Sequence, residues 1–446
     1  MGKQFGTDGV RGKANEKLTP QLAYRIGMAL TLTLKEKTER PLIIVGRDTR
    51  LSGDMLEGAL AAGITAYGGI MLRLGVIPTP AVSALVRERG ADAGVVISAS
   101  HNPFWDNGIK IFGADGRKCP DDQEAQIEAI LSSKEDPELC SEDKIGYVVD
   151  CPDGGKEYIA RLKGFFPLDL KGYRLVVDTA NGATSDWAPE LLRDLGAEVI
   201  AINTDYDGVN INDHCGSTKP ESMAMKVKDI GADIGIAYDG DGDRLILADH
   251  EGNIVDGDKA MAVMAAYLKE KGQLKGNHLV VTVMSNLGLR LAMEKIGISM
   301  GVTSVGDKNV MTEMDRVGAN LGGEQSGHLI LSDYNPTGDG ILSSLMVLKI
   351  IAETGKSLKE LASVMTALPQ LLYNITVDRR DEWKDNRAIA DAIADAEAKL
   401  AEKGRILIRP SGTEPLLRVM GEGPDEEELD RILKDIIDVI QAQLNG

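Results

Sequence analysis

At 446 residues, with 43% hydrophobic and 27% charged residues, the chain is too long for one core and predicts three or four globular domains. Its net charge of -19 argues against a nucleic-acid or membrane partner, because phosphate backbones and anionic lipids attract basic surfaces. The chain has no membrane-spanning apolar stretch, no signal-like start and no paired cysteine spacing, so we expect a soluble cytoplasmic protein with reduced thiols.

Helical patterns alternate with short β-branched runs over residues 20–112. This alternation predicts βαβ units and a mostly parallel sheet. Thr19 before Pro20 and Thr79 before Pro80 are predicted helix N-caps, with proline in the first helical position.

The same alternation restarts twice along the chain, and the C-terminal part instead orders strand, helix, strand, strand, helix. The predicted fold class is therefore α/β, with three consecutive α/β mixed-sheet domains plus a C-terminal α+β domain. The predicted domain boundaries are 1–150, 151–252, 253–367 and 368–446.

The first motif, GVVISASHNP, ends an apolar strand in Ser100 and its polar neighbours. A serine at the carboxyl end of a parallel strand lies where α/β folds build their sites. The string also fits a plain polar turn in which Pro103 ends the strand, and it lacks the G-x-S-x-G nucleophile elbow.

The second motif, YDGDGDR, places Asp239, Asp241 and Asp243 at every second position. Side chains two apart project to one side, and the glycines between them let the backbone curl until the carboxylates converge. Converged oxygen ligands suit Mg²⁺ or another hard divalent ion. A calcium EF-hand is not predicted, because Arg244 and His250 occupy its glycine and glutamate positions.

The third motif, GGEQSGH, spaces Glu324 and Ser326 to face the same side between glycines. A carboxylate and a hydroxyl in this arrangement can bind vicinal sugar hydroxyls. The string also fits a plain glycine loop, and His328 alone fits an interior histidine.

The fourth motif, RPSGTEPLLRVM, brackets a predicted turn between two strands. Two guanidinium groups, two hydroxyls and free backbone N–H groups describe a cradle for a phosphate. Its candidate residues are Arg409, Ser411, Gly412, Thr413 and Arg418. A hairpin turn with surface arginines is the alternative.

The fifth motif, FGTDGVRG, places Arg11 just ahead of the first predicted helix. An arginine in an N-terminal loop is usually solvated. The residues alone therefore assign Arg11 no chemistry.

In this order, the motifs resemble the α-D-phosphohexomutase superfamily, and the third and fourth are most similar to its bacterial phosphoglucosamine mutase family. The resemblance covers essentially the whole chain. It implies four domains around a central cleft, with one motif from each. It also implies an isomerase that interconverts glucosamine 6-phosphate and glucosamine 1-phosphate through a phosphoserine and a 1,6-bisphosphate, feeding UDP-N-acetylglucosamine and peptidoglycan precursors.

The resemblance assigns roles residue by residue. The implied catalytic residues are Ser100, His101, Lys110, Arg11 and Arg244, of which His101 and Lys110, together with His328, are candidates for proton transfer. The implied substrate-binding residues are Glu324, Ser326, His328, Arg409, Ser411, Gly412, Thr413 and Arg418. The implied metal ligands are Ser100, Asp239, Asp241 and Asp243.

The implied cofactors are one Mg²⁺ per chain and glucosamine or glucose 1,6-bisphosphate as a primer. The implied partners are a hexosamine phosphate substrate and a second copy in a homodimer, with no nucleic acid and no membrane. The chain departs from the family pattern at Gly242 and in VGDKNV, so Asp307, Lys308 and Asn309 have no assigned roles.

Three other functions fit the same motifs. The nearest is a phosphomannomutase/phosphoglucomutase of the same superfamily, which relative rates on glucosamine, glucose and mannose phosphates would separate. A phosphatase would release inorganic phosphate without forming an isomer. A non-catalytic sugar-phosphate-binding regulator would have little need of the serine, the aspartates and the phosphate loop together.

Overall fold

The structure is a computed structural model that describes residues 5–6, 8–133, 137–410 and 416–445. Its contacts divide the chain into two units. The first contains Met1–Met284 and Ile298–Val364, and the second contains Ser285–Gly297 and Met365–Gly446. The four predicted domain boundaries stay a prediction.

The first sheet of the first unit has the strand order β1-β5-β4-β2-β3-β6. Its strands are β1 (Val10–Lys13), β2 (Leu42–Arg47), β3 (Ile70–Val76), β4 (Ala93–Ile97), β5 (Asp106–Gly113) and β6 (Tyr147–Asp150). The helices of this segment are α1 (Pro20–Lys35), α2 (Gly53–Ala66), α3 (Thr79–Arg89), α4 (Asp121–Ser132) and α5 (Gly154–Phe165). The pairs β2–β3, β2–β4 and β3–β6 are parallel, and β5 alone runs in the opposite direction, antiparallel to both β4 and β1, so the sheet is mixed but mostly parallel, as the alternation predicts.

The two predicted N-caps differ in outcome. The side chain of Thr19 accepts a hydrogen bond from Leu22 N at 3.2 Å, so this cap is confirmed. The prediction for Thr79 is wrong, because α3 begins at Thr79 and Pro78 is its cap residue. The Thr79 hydroxyl donates instead to Asp241 Oδ2 at 2.6 Å, so a distant carboxylate replaces the local capping bond.

The second sheet has the order β11-β10-β9-β7-β8. Its strands are β7 (Arg174–Asp178), β8 (Glu198–Ile202), β9 (Ile234–Tyr238), β10 (Leu245–Asp249) and β11 (Ile254–Val255), and its helices are α6 (Ala188–Asp194) and α7 (Glu221–Ile230). β7 pairs in parallel with β8 and β9, whereas β9 and β10 are antiparallel and joined by a short loop. That loop holds the predicted metal ligands.

The third sheet has the order β13-β12-β14-β15. Its strands are β12 (His278–Thr282), β13 (Ser299–Thr303), β14 (Leu321–Gly323) and β15 (Leu329–Leu331). The helices of this stretch are α8 (Gly257–Glu270), α9 (Leu287–Lys295), α10 (Asp307–Val317), α11 (Gly340–Thr354) and α12 (Leu358–Ala362). α9 belongs to the second unit, whereas the sheet belongs to the first.

The second unit contains an antiparallel sheet in the order β16-β18-β17. Its further elements are β16 (Gln370–Thr376), α13 (Arg387–Leu400), β17 (Arg405–Pro410), β18 (Leu416–Glu422) and α14 (Glu426–Leu444). α14 packs an apolar face of leucines and isoleucines into the core of this unit. This small α+β unit and the three preceding mixed sheets confirm the predicted fold class. Among the described residues, no helix is both long and apolar enough to span a membrane.

Candidate functional site

The serine loop, residues 98–105, follows the carboxyl end of β4. Ser100 is only 2% exposed and has a left-handed backbone, with φ of 53°. Its hydroxyl donates to Asp239 Oδ2 at 2.7 Å and lies 3.3 Å from His101 Nδ1. The structure therefore brings two predicted motifs together, although they are far apart in sequence.

The aspartate loop, residues 239–244, joins β9 to β10. Oxygens of Asp239, Asp241 and Asp243 lie within 4.8 Å of one another, and all three residues are buried. Two glycines permit this convergence. Gly242 has φ of 73°, and a Cβ on Gly240 would meet the Ser100 carbonyl oxygen at 2.7 Å, so the two loops are packed backbone to backbone.

Lys110 on β5 neutralises part of the charge of these carboxylates. Its Nζ donates to Asp241 Oδ2 at 2.8 Å and lies 3.6 Å from Asp243 Oδ2. Burial and repulsion by the other two aspartates raise the pKa of Asp239 to about 8. Burial also disfavours ionised Asp243, but Lys110, the His328 ring and Arg244 together outweigh it and hold the pKa of that carboxyl below its ordinary value. The pKa values of Asp239 and Asp243 are therefore shifted in opposite directions.

The aspartate loop fits a divalent cation. Asp241 Oδ1 and Asp243 Oδ1 are buried and have no hydrogen-bond donor among the described residues. Buried carboxylate oxygens without a donor are costly unless a cation binds them. Because the converging donors are all oxygens, the group suits a hard ion such as Mg²⁺.

The N-terminal loop contributes cations and one further carboxylate. Arg11 forms an ion pair with Asp8, and its Nη1 donates to Ala99 O at 3.4 Å. Asp8 also pairs with Lys118 and lies 3.5 Å from Lys110 Nζ. Sequence reasoning missed Asp8 and Lys118. Asp8 stood inside the quoted motif FGTDGVRG, whereas Lys118 had no signal.

Glu324 and His328 of the third motif lie beside the aspartate loop, and their substrate-binding role stays a prediction. Glu324 Oε1 accepts a hydrogen bond from Gly306 N at 3.0 Å. Burial opposes the charged imidazole, whereas Asp243 and Asp307, 3.7 and 3.8 Å away, act to raise the pKa of His328.

A backbone amide acts in the opposite direction on the same ring. Gly338 N donates to His328 Nε2 at 3.1 Å, a bond that only a ring without a proton on Nε2 accepts. Since this amide is within hydrogen-bond distance and both carboxylates are beyond it, the geometry fits a neutral ring with its proton on Nδ1, facing Asp243.

Asp307, Lys308 and Asn309, which had no assigned role, open α10. Asp307 pairs with Lys118 at 2.6 Å, and Lys308 pairs with Asp121. Asn309 Nδ2 donates to Val305 O at 3.0 Å, a bond within its own turn. The first two residues thus tie α10 to the segment around α4.

A cavity of about 440 Å³ opens onto these loops, a size that suits a small ligand. Its walls include Arg11, Ser100, His101, Asp243, Arg244, Glu324 and His328. Ser326 is exposed and does not line this cavity. The structure therefore gathers most of the predicted site of the first unit and leaves Ser326 outside it.

The second unit carries the predicted phosphate loop. Arg409 on β17 and Arg418 on β18 occupy directly opposite positions. Burial and the charge of Arg418 lower the pKa of Arg409. Like charges directly opposite on neighbouring strands are destabilising, and an anion would relieve the repulsion. Ser411, Gly412 and Thr413 lie outside the described residues.

Comparisons with known proteins agree with this architecture. Family models described as phosphoglucomutase/phosphomannomutase, alpha/beta/alpha domains I, II and III, match residues 2–138, 156–252 and 256–368. The C-terminal domain of the same family matches residues 372–439.

Full-length relatives and a solved structure give the same picture. Phosphoglucosamine mutases of Bacillus cereus (strain ATCC 10987 / NRS 248) and Bacillus anthracis (strain CDC 684 / NRRL 3495) are each 52% identical over 448 residues, covering 100% of both chains. A phosphoglucomutase/phosphomannomutase family protein from Burkholderia thailandensis superposes with a TM-score of 0.82 and 26% identity, covering 99% of this chain and 98% of that one.

Proposed function

The chain belongs to the phosphoglucosamine mutase family of phosphohexomutases, which are isomerases, and on that premise we propose that it interconverts glucosamine 6-phosphate and glucosamine 1-phosphate. Ser100 carries the transferable phosphoryl group in this proposal. A 1,6-bisphosphate is the intermediate.

The position of the Ser100 hydroxyl supports the proposal most directly. It is buried, hydrogen-bonded to Asp239 at 2.7 Å, and lies on the wall of a cavity large enough for a sugar phosphate. A serine with only a structural role has little reason to point at three converged carboxylates.

The reaction needs positioning and charge neutralisation more than covalent chemistry from the protein. A substrate hydroxyl oxygen attacks phosphorus, the bond between phosphorus and Ser100 Oγ breaks, and the hydroxyl proton passes to a base. Of the predicted candidates for proton transfer, His101 and a neutral His328 can accept that proton, whereas Lys110 is already protonated in its ion pair with Asp241 and can only donate. Arg11 and Arg244 add positive charge beside the transferring group.

Asp239, Asp241 and Asp243, with an oxygen of Ser100, would hold one Mg²⁺. When bound, this ion supplies positive charge to the oxygens of the transferring phosphoryl group. Glucosamine or glucose 1,6-bisphosphate would prime Ser100. Because Asp241 Oδ1 and Asp243 Oδ1 have no hydrogen-bond donor in the part of the chain that the structure describes, both oxygens are free to bind a cation.

The remaining predicted residues would bind the substrate. Glu324, Ser326 and His328 would bind sugar hydroxyls. Arg409 and Arg418, with Ser411, Gly412 and Thr413, would bind the phosphate that does not react. The bisphosphate must turn round before its other phosphate returns to Ser100, so the phosphate loop has to release and rebind it, and a hinge near residue 368 would allow this.

Three further proposals rest on the family alone. The enzyme would act in the cytoplasm and form a homodimer. Its product would feed UDP-N-acetylglucosamine synthesis. Light scattering on the purified protein tests the dimer directly.

The proposed function is tested by the rate of conversion of the 6-phosphates of glucosamine, glucose and mannose, with Mg²⁺ and a priming bisphosphate. We expect glucosamine 6-phosphate to react at least about tenfold faster, roughly 1.4 kcal/mol in the transition state. Ser100→Ala should abolish turnover, whereas Ser363→Ala, which removes a hydroxyl that does not line the cavity, should not.

Each other outcome has a definite meaning. Faster conversion of mannose or glucose phosphate would change the substrate but keep the mechanism. Release of inorganic phosphate without isomer formation would make the enzyme a phosphatase. Full activity of Ser100→Ala would end the phosphoserine mechanism.

A further inference from the structure

Arg50 is a buried arginine that none of the motifs contains. It lies just after β2 and is 1% exposed. Every N–H group of its guanidinium has an acceptor. Nε donates to Asp48 Oδ2 at 2.8 Å, and the two terminal nitrogens donate to the carbonyl oxygens of Ser100, Asn102, Pro103 and Asp106.

These carbonyls belong to the serine loop and to the first residue of the strand that follows it. The guanidinium of Arg50 therefore fixes the backbone of the serine loop at several carbonyl groups at once. Arginine suits this role because its N–H groups form a rigid fork, whereas a lysine ammonium is a single point on a flexible stem.

Asp48 extends the same network to the other side of Ser100. It is fully buried and accepts hydrogen bonds from Arg50 Nε and, at 2.6 Å, from Ser98 Oγ. Ser98 Oγ in turn accepts the backbone N–H of Ser100 at 2.8 Å. Asn212 adds a second donor to the Ser100 carbonyl at 2.9 Å.

Both backbone polar groups of Ser100 are thus fixed by side chains. This matters because a left-handed conformation is strained for a residue that carries a Cβ. Without the network, Ser100 would relax toward an ordinary backbone conformation, and its hydroxyl would turn away from Asp239 Oδ2. Strain of this kind persists only where the surroundings over-determine it.

We propose that Arg50 and Asp48 are positioning residues for phosphoryl transfer, which hold Ser100 in its left-handed conformation so that its oxygen faces the aspartate loop. This inference rests on the proposed role of Ser100. Arg50 and Asp48 touch neither the cavity nor the converging carboxylate oxygens of Asp241 and Asp243. They act through the backbone of the serine loop.

The test compares Arg50→Lys and Ser98→Ala with a matched control, Glu57→Gln. Glu57 is also a buried carboxylate of the first sheet region, 3.7 Å from both Arg47 Nε and Arg73 Nε, but it does not contact the serine loop. Each protein is phosphorylated with glucose 1,6-bisphosphate, checked by intact mass, and mixed with glucosamine 6-phosphate in a single turnover.

A displacement of the reacting oxygen by about 1 Å costs roughly 100-fold, so we expect this loss of transfer rate in Arg50→Lys. Ser98→Ala, which removes only one hydroxyl, should lose about tenfold. KM for the sugar phosphate and the Kd for Mg²⁺ should stay within about twofold of wild type in both, because neither variant removes a binding group. Glu57→Gln should lose stability without losing transfer rate.

The inference is overturned if Arg50→Lys and Ser98→Ala transfer at the wild-type rate. It is equally overturned if the transfer rate and the melting temperature fall and KM rises, as expected of a general packing defect. If Arg50→Lys does not fold, Ser98→Ala decides alone. Failure of the proposed function looks different, since wild type itself would then show no phosphoserine and no transfer.

Discussion

The raised pKa of Asp239 predicts that binding of the proposed Mg²⁺ depends on pH. Burial and its two neighbouring aspartates raise its pKa to about 8, so at lower pH the metal-free site holds a proton on this carboxyl. A divalent cation must displace that proton. Each pH unit below about 8 therefore weakens binding by 1.36 kcal/mol, and we expect the Kd for Mg²⁺ to rise about tenfold from pH 7 to pH 6.

Titration calorimetry measures both parts of this prediction. Repeating the Mg²⁺ titration at pH 7 in buffers of different ionisation enthalpy gives the number of protons released, which we expect to be close to one per ion. Above pH 8 the affinity should level off. Asp178→Asn is the matched control, because Asp178 is another buried carboxylate with a raised pKa, at the end of β7, and its variant should keep the same pH dependence.

Asp239→Asn should bind Mg²⁺ weakly and release no proton. The reasoning is refuted if wild type binds Mg²⁺ equally well at pH 6, 7 and 8 without proton release. Asp239 would then be ionised in the metal-free protein, and the charge of Lys110 would have to compensate all three carboxylates.

Three further variants test the packing around the same loops by urea unfolding without Mg²⁺. Lys110→Met leaves Asp241 without its buried cation and should lower the free energy of unfolding by about 3–5 kcal/mol. Adding Asp241→Asn should restore part of this stability, and a double variant that restores none would contradict the pairing. Thr79→Val removes a hydrogen bond to the same carboxylate and should lower the free energy of unfolding by about 1.5–3 kcal/mol. An unchanged urea midpoint would show that this hydrogen bond does not stabilise the fold. Gly240→Ala places a methyl group against the Ser100 carbonyl and should lower the free energy of unfolding by about 1–3 kcal/mol. It should also slow the phosphorylation of Ser100, measured by intact mass. Wild-type values of both would mean that the two loops can separate freely.

The sequence predicted the parts of the site that are written in continuous motifs. Ser100 follows a strand, and Asp239, Asp241 and Asp243 alternate with glycine, so local chemistry alone indicates their geometry. The confirmed fold class follows for a similar reason, because the alternation of helix and strand is a local pattern.

The residues that were missed lack such a pattern. Arg50 and Asp48 are single charged residues after an ordinary strand, and only the folded chain shows that their partners lie some fifty positions away, around Ser100. Thr79 illustrates the same limit. The threonine before a proline is a normal signal for a helix cap, but in the structure its hydroxyl donates to Asp241, which follows a strand of the second sheet. Long-range contacts of this kind decide side-chain roles that propensity cannot.

The left-handed backbone of Ser100 also bears on how such an enzyme can evolve. Threonine offers the same hydroxyl, yet a β-branched residue is a genuine outlier at positive φ. Aspartate tolerates that conformation better, but it would add a fourth carboxylate beside three that already repel one another. The backbone therefore restricts which residue can replace the proposed nucleophile, and new substrates should be reached more readily through changes in the proposed sugar and phosphate loops than through changes at Ser100.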